Sequence, residues 1–91
     1  MTYRYLSSFD RSFKALSQPQ QAKVKKALEK VFDFIEKGQR PSGLGLKKLV
    51  KDYWEIRVDR SLRLIFQQGH ELLTFILVGD HNQIRRFLKK S

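Results

Sequence analysis

No cysteine occurs anywhere in the 91-residue chain. That removes disulfides, cysteine-based zinc sites and a thiol nucleophile from consideration. Histidine is nearly as scarce. His70 and His81 stand far apart and the acidic residues are scattered, so no metal-ligand spacing emerges and no metal or cofactor is expected. Gly43-Leu44-Gly45 lacks the third glycine and the strand–helix context of a phosphate-cradling loop. The serines (Ser7, Ser8, Ser12, Ser17, Ser42, Ser61 and Ser91) lack nucleophile-elbow contexts, so a serine triad is not expected. No apolar run approaches transmembrane length, and Met1-Thr2-Tyr3-Arg4-Tyr5 carries no apolar signal core. A cytoplasmic protein without membrane contact is expected. Acidic charge is short too: 9 Asp+Glu stand against 19 Lys+Arg, a formal charge of +10. A chain this basic is drawn to polyanions, nucleic acid foremost. With hydrophobic residues at 41%, one small domain over residues 1–91 is expected to fold around a single core.

The most informative segment is Tyr53-Trp54-Glu55-Ile56-Arg57-Val58, a short Asp59-Arg60-Ser61 turn, and Leu62-Arg63-Leu64-Ile65-Phe66. Apolar residues alternate with Glu55, Arg57 and Arg63, the period of half-buried strands. A three-residue loop centred on Arg60 keeps the apolar sets on one face and places Arg57 directly opposite Arg63. Like charges so opposed are destabilising; the pair implies either an anion that neutralises it or two solvated arginines screened by the neighbouring Glu55. Upstream, Thr2 to Leu6 suits a first strand, and Ser7 or Ser8 would cap a helix carrying Phe9, Phe13 and Leu16. After Ser17-Gln18-Pro19, a second helix runs to Gly38 with Val24, Ala27, Leu28, Val31 and Ile35 on one stripe. Gly38 to Lys51 reads as an irregular loop with Leu44, Leu46 and Leu49 tucked in. Downstream, Gly69-His70 is expected to turn the chain into a central strand, Leu72 to Val78, with Phe66 opposite Leu73 and Leu64 opposite Phe75. That register sets Ile65, Thr74, Ile76 and Val78 beside the arginines. Asp80 would cap a last helix with Ile84, Phe87 and Leu88 inward. The expected fold is α+β: an N-terminal strand and helical hairpin packed on one face of an antiparallel sheet, with a short C-terminal helix.

Arg57, Arg63, His81 and Glu55 on one basic face suit phosphodiester cleavage without a metal. In RNA the 2′-hydroxyl attacks the adjacent phosphorus, so the protein supplies a base, an acid and a cation rather than a nucleophile. Guanidinium forks grip phosphate bidentately and stay charged. A histidine placed like His81, after the central strand, could move protons; Glu55 is the alternative. Lys47, Lys48 and Lys51 form a second basic run, and Arg85 and Arg86 make the exposed side of the last helix basic.

Leu46-Lys47-Lys48-Leu49, Tyr53-Trp54-Glu55-Ile56-Arg57-Val58, Leu62-Arg63-Leu64-Ile65-Phe66 and Val78-Gly79-Asp80-His81 together resemble the RelE/ParE toxin superfamily of bacterial toxin–antitoxin modules. The family pattern reads "LK.L", "W.IRV", "YRLIY" and "VG.R", and the likeness covers nearly the whole chain. It implies a ribosome-dependent endoribonuclease that cuts mRNA in the A site and so inhibits translation. The catalytic arginine of the "YRLIY" strand would be Arg63, its basic neighbour Arg57, and the residue after the "VG" turn His81. Lys47, Lys48, Lys51, Arg85 and Arg86 would contact mRNA or ribosomal RNA. A cognate antitoxin would bind the protein, and operator DNA would be reached only through that complex. The sequence departs from the pattern at Glu55, where lysine is common, and at Arg85, where a functional aromatic is expected. ParE-like members share the fold but poison DNA gyrase; a third possibility is a module that has lost the chemistry and keeps antitoxin binding and DNA autoregulation.

Overall fold

Alternation along Tyr53–Arg57 and Arg63–Gly69 produces the sheet's backbone, and everything else is arranged around it. The structure, a computed structural model, describes residues 1–38 and 45–90. Along the chain come β1 (Thr2–Tyr5), α1 (Ser7–Lys14), α2 (Gln18–Lys37), β2 (Lys47–Lys48), β3 (Tyr53–Arg57), β4 (Arg63–Gly69), β5 (Leu72–Gly79) and α3 (His81–Lys90). The strands form one sheet in the order β1-β5-β4-β3-β2. β1 joins β5 in parallel, while the other pairs are antiparallel. The sheet is therefore mixed rather than wholly antiparallel. A parallel pair needs a long crossover, and the intervening chain from α1 to β4 supplies it.

Helix starts and stops follow local chemistry. Ser17 accepts a hydrogen bond from the Gln20 N–H while the Gln20 side chain accepts one from the Ser17 N–H, closing a capping box, and Gly38 ends α2 in the left-handed region at φ 70°. The first helix departs from expectation. Leu6 occupies its N-cap position with no side-chain cap. The serines of α1 act on β5 instead: Ser8 Oγ donates to the Ile76 carbonyl, and Ser12 Oγ accepts from the Val78 N–H at 3.1 Å. β1 pairs with β5 only as far as Phe75. From there the α1 hydroxyls satisfy strand groups that would otherwise lack partners.

Two cores lie on opposite faces of the sheet. Under α1 and α2, Phe9, Val24, Leu28 and Val31 meet Ile56, Leu64, Phe66, Leu73, Phe75 and Val78. Phe75 is its hub, with the rings of Tyr5, Phe32, Phe9 and Phe66 at centroid distances of 5.0, 5.9, 6.1 and 6.1 Å. Truncating such a buried ring to alanine costs about 3–5 kcal/mol. Beneath α3, Ile65 and Ile76 pack with Ile84, flanked by Leu49, Tyr53, Leu77, Phe87 and Leu88. The expected seating of Leu46 and Leu49 is present, one on each core. Leu44 and the rest of residues 39–44, part of the expected loop, lie outside the described residues.

The β3–β4 register matches expectation, with Arg57 opposite Arg63 and Ile56 opposite Leu64. The β4–β5 register does not. Gly69 pairs with Leu72, so the turn is His70-Glu71 rather than Gly69-His70, and Glu71 takes the positive φ of 54°. Phe66 then faces Phe75 instead of Leu73. An irregularity follows, because Ile65 pairs with Leu77 and Leu64 with Val78, leaving Ile76 as the extra residue of a bulge. The bulge switches side-chain parity. Ile76 stays under α3 as expected, but Val78 joins the α1–α2 core rather than the face that carries the arginines.

Candidate active site

Three local features bring charged side chains together on the α3 face. The first is the hairpin. Asp59 Oδ1 accepts from the Ser61 and Leu62 backbone N–H groups at 2.9 and 2.8 Å, so its carboxylate folds the turn onto itself. These bonds, that from Ser61 foremost, hold the Asp59 carboxyl below its ordinary pKa, with Lys23 of α2 adding an ion pair at 3.6 Å. The tight turn fixes Arg57 directly across from Arg63. Arg63 is anchored as well: its Nη1 donates to the Asp59 and Leu62 carbonyls at 2.8 and 3.1 Å. Nε and Nη2 are not used in these bonds and keep donors available, since a guanidinium carries five.

The second feature is Gly45. Its φ is 65°, and a side-chain Cβ there would come 2.9 Å from the Arg57 Cβ. Only glycine lets the chain before β2 lie against Arg57. The third is the entry to α3. Asp80 and Gln83 cap it reciprocally, the Gln83 N–H donating to Asp80 Oδ1 at 2.9 Å and the Asp80 N–H to Gln83 Oε1 at 2.8 Å. At Gly79, the residue opposite Arg63, a Cβ would lie 2.6 Å from Gln83 Oε1, so a side chain there would have to displace the Gln83 arm of this cap. The helix thus begins at His81, two residues beyond Arg63's strand partner.

The result is a cleft of about 540 Å³ between the sheet and α3. Glu55, Arg57, Arg63, His81, Lys47 and Arg85 line it, over an apolar base that includes Leu49, Ile84 and Leu88. Lys47 and Glu55 are cross-strand partners. Within the cleft, Arg85 Nη2 lies 2.9 Å from His81 Nε2. The ion pairs among the described residues, Lys23–Asp59 and Lys37–Asp33, lie elsewhere and leave the opposed arginines unneutralised. Charges set over an apolar floor act more strongly than in bulk water.

Not every basic residue singled out in the sequence reaches this cleft. Lys48 turns to the other face of the short β2, its Nζ 5.9 Å from the Trp54 ring centroid. Lys51 occupies a turn with φ 58°, and Arg86 is exposed on α3; neither lines the cleft. The alternation along β2 and the helical period of α3 explain the split, since Lys47 and Lys48, like Arg85 and Arg86, are sequence neighbours and point apart. Gly45 and Gly79 are the residues that sequence reasoning missed. Their signal was steric and visible only once Arg57 and Gln83 stood beside them. Among the described residues no group of three His, Asp or Glu side chains stands close enough to hold a metal ion, and no helix is long and apolar enough to cross a membrane.

Solved structures share this architecture. A chain of the RelB–RelE antitoxin–toxin complex from Methanococcus jannaschii superposes with a TM-score of 0.71, covering 92% of this chain and 96% of that chain at 15% identity. The fold is that of RelE. A chain of the Escherichia coli DinJ–YafQ complex matches with a TM-score of 0.68 over 90% of this chain and 94% of that one, at 20% identity. YoeB from Staphylococcus aureus, solved as a dimer, matches with a TM-score of 0.68 over 89% and 97%, at 17% identity. The RelE fold therefore accounts for almost all of the chain. No protein-family model and no curated protein sequence matches it.

Proposed function

We propose that this chain is a RelE-type toxin: an endoribonuclease that cleaves mRNA on the ribosome and is held in check by a cognate antitoxin in the cytoplasm. The observation that carries the proposal is the opposed, unneutralised pair Arg57–Arg63 in a cleft that also presents Glu55 and His81. A solvated pair of like charges gives a hairpin nothing, whereas two guanidinium forks at strand spacing suit a phosphodiester and the more highly charged phosphorane that follows. Arg63, already tied to the turn carbonyls, would meet the phosphorane without reorganising, and the exposed Arg57 would hold the scissile phosphate.

The reaction needs no metal and no protein nucleophile. Glu55 or His81 takes the 2′-hydroxyl proton, O2′ bonds to phosphorus, and the phosphorus–O5′ bond breaks. The leaving 5′-oxygen is protonated by the other member of the pair or by water, and a 2′,3′-cyclic phosphate remains. Lys47 and Arg85, in the cleft, would contact the RNA backbone; Lys48, Lys51 and Arg86, outside it, would serve the wider ribosomal surface. Operator DNA would be engaged only through the antitoxin complex.

A defined mRNA positioned on purified ribosomes tests this reading by primer extension. Cleavage within the A-site codon by the wild-type protein is expected, with a loss of about 10²-fold or more for Arg63→Lys, which keeps the charge and loses the fork. Equal rates for the two proteins, or no cleavage with and without ribosomes, would overturn it.

A further inference from the structure

Arg85 and His81 stand one turn apart on α3, with Arg85 Nη2 2.9 Å from His81 Nε2. A guanidinium only donates hydrogen bonds, so Nε2 is the acceptor, and the tautomer assigned by this bond carries its proton on Nδ1. The consequence is chemical. Nε2 has its lone pair engaged and Nδ1 is already protonated, so neither nitrogen can take a proton. His81 is idle as a base for as long as Arg85 stays where it is.

Both residues line the cleft together with Arg57 and Arg63, and both are exposed. An anion entering the cleft therefore competes with His81 for Arg85. The competition is unequal: a phosphate offers charged oxygens to two parallel guanidinium bonds, while the imidazole offers one neutral lone pair. The remaining charged groups of the cleft are Lys47 of β2, Glu55 and Arg57 of β3, and Arg63 of β4. Glu55 is the one acid among them, and Arg63 is already held at Nη1 by the Asp59 and Leu62 carbonyls.

We propose that Arg85 is a phosphate-released latch on His81, a positioning residue that keeps the imidazole as its Nδ1–H tautomer in the empty cleft. Substrate phosphate draws Arg85 away and frees Nε2 to accept the 2′-hydroxyl proton. The base is armed only when RNA is in place. This rests on the reading of the cleft as an RNA phosphate site, and it assigns to Arg85 a role distinct from general backbone contact.

Imidazole and guanidinium ¹⁵N spectra of the whole protein test the latch without requiring turnover. The samples are wild type and Arg85→Met, each free and with a 2′-O-methyl RNA trinucleotide, which cannot be cleaved. Free wild-type His81 should show the Nδ1–H tautomer, and Arg85→Met should move it toward Nε2–H. Adding the trinucleotide to wild type should release Nε2 from its bond while the Arg57 and Arg63 signals shift. Coincident His81 spectra for the two free proteins would overturn the latch. Shifts at Arg57 and Arg63 with His81 unmoved would also overturn it, leaving the phosphate-site reading intact. No shift at any of the three would overturn that reading and the latch with it.

Discussion

Arg57 and Arg63 oppose each other across β3 and β4 with no ion pair among the described residues to relieve them. A directly opposed like pair costs a strand pairing roughly 0.2–1 kcal/mol. Removing one member should therefore relieve the sheet while it disables the site. Arg57→Ala is expected to leave the unfolding free energy unchanged or raise it by up to about 1 kcal/mol, and to abolish cleavage. Chemical denaturation paired with the ribosome cleavage assay checks this; a clear loss of stability would mean that Arg57 is a structural residue. Arg63 differs, because its Nη1 holds two turn carbonyls. It was legible in the sequence as a strand residue facing Arg57, but its anchoring was not, since a carbonyl three-dimensionally adjacent leaves no mark on residue type. The same holds for Gly45, whose closeness to Arg57 is a tertiary fact. His81 was legible as a residue following a strand break; its engagement by Arg85 follows only from their spacing on a helix that begins at His81 itself.

The β3–β4 hairpin is the element on which the site depends. Its apolar alternation and short polar turn left one register open, so the pairing could be read from the sequence. The turn is closed by Asp59, whose carboxyl sits below its ordinary pKa of 3.8 through the Ser61 and Leu62 N–H bonds and Lys23. A carboxyl with a lowered folded-state pKa stabilises the protein above its unfolded pKa, and that contribution is lost as pH falls through and below that value. Wild type should therefore be more stable than Asp59→Asn near neutral pH, and the gap should close as pH drops below about 4, the unfolded aspartate value. Thermal melts over that range read the effect, and a gap that persists at low pH would place the stabilisation elsewhere. The β4–β5 hairpin was less legible. Glycine at 69 signals a turn, yet Glu71 carries the positive φ, and the bulge at Ile76 has no residue-type signature. Those two events shifted the register and moved Val78 to the other core. Ile65 and Ile76 nonetheless stayed on the α3 face, so the floor beneath the arginines was read correctly in part.

At the scale of the molecule, the sheet separates two tasks. One face is committed to the aromatic core under α1 and α2, and the other combines a small apolar core with the cationic cleft closed off by α3. The α+β class and the order of the longer elements were legible because their helical and strand periods are well punctuated. The two-residue β2, Lys47–Lys48, lies in the stretch read as an irregular loop and is too short to show a period. The mixed character of the sheet was not, because nothing in Thr2–Tyr5 distinguishes a parallel from an antiparallel partner. The formal charge of +10 pointed to a polyanion, and the fold concentrates four of those cations with one acid and one histidine at a single cleft. The most direct test of the proposed activity is a map of mRNA 5′ ends in cells after brief induction, with Arg63→Ala alongside. Cuts phased to codons inside translated regions, present with wild type and absent with the variant, are expected. Growth arrest without such cuts, accompanied by DNA-damage signalling, would contradict an mRNA nuclease and point to gyrase.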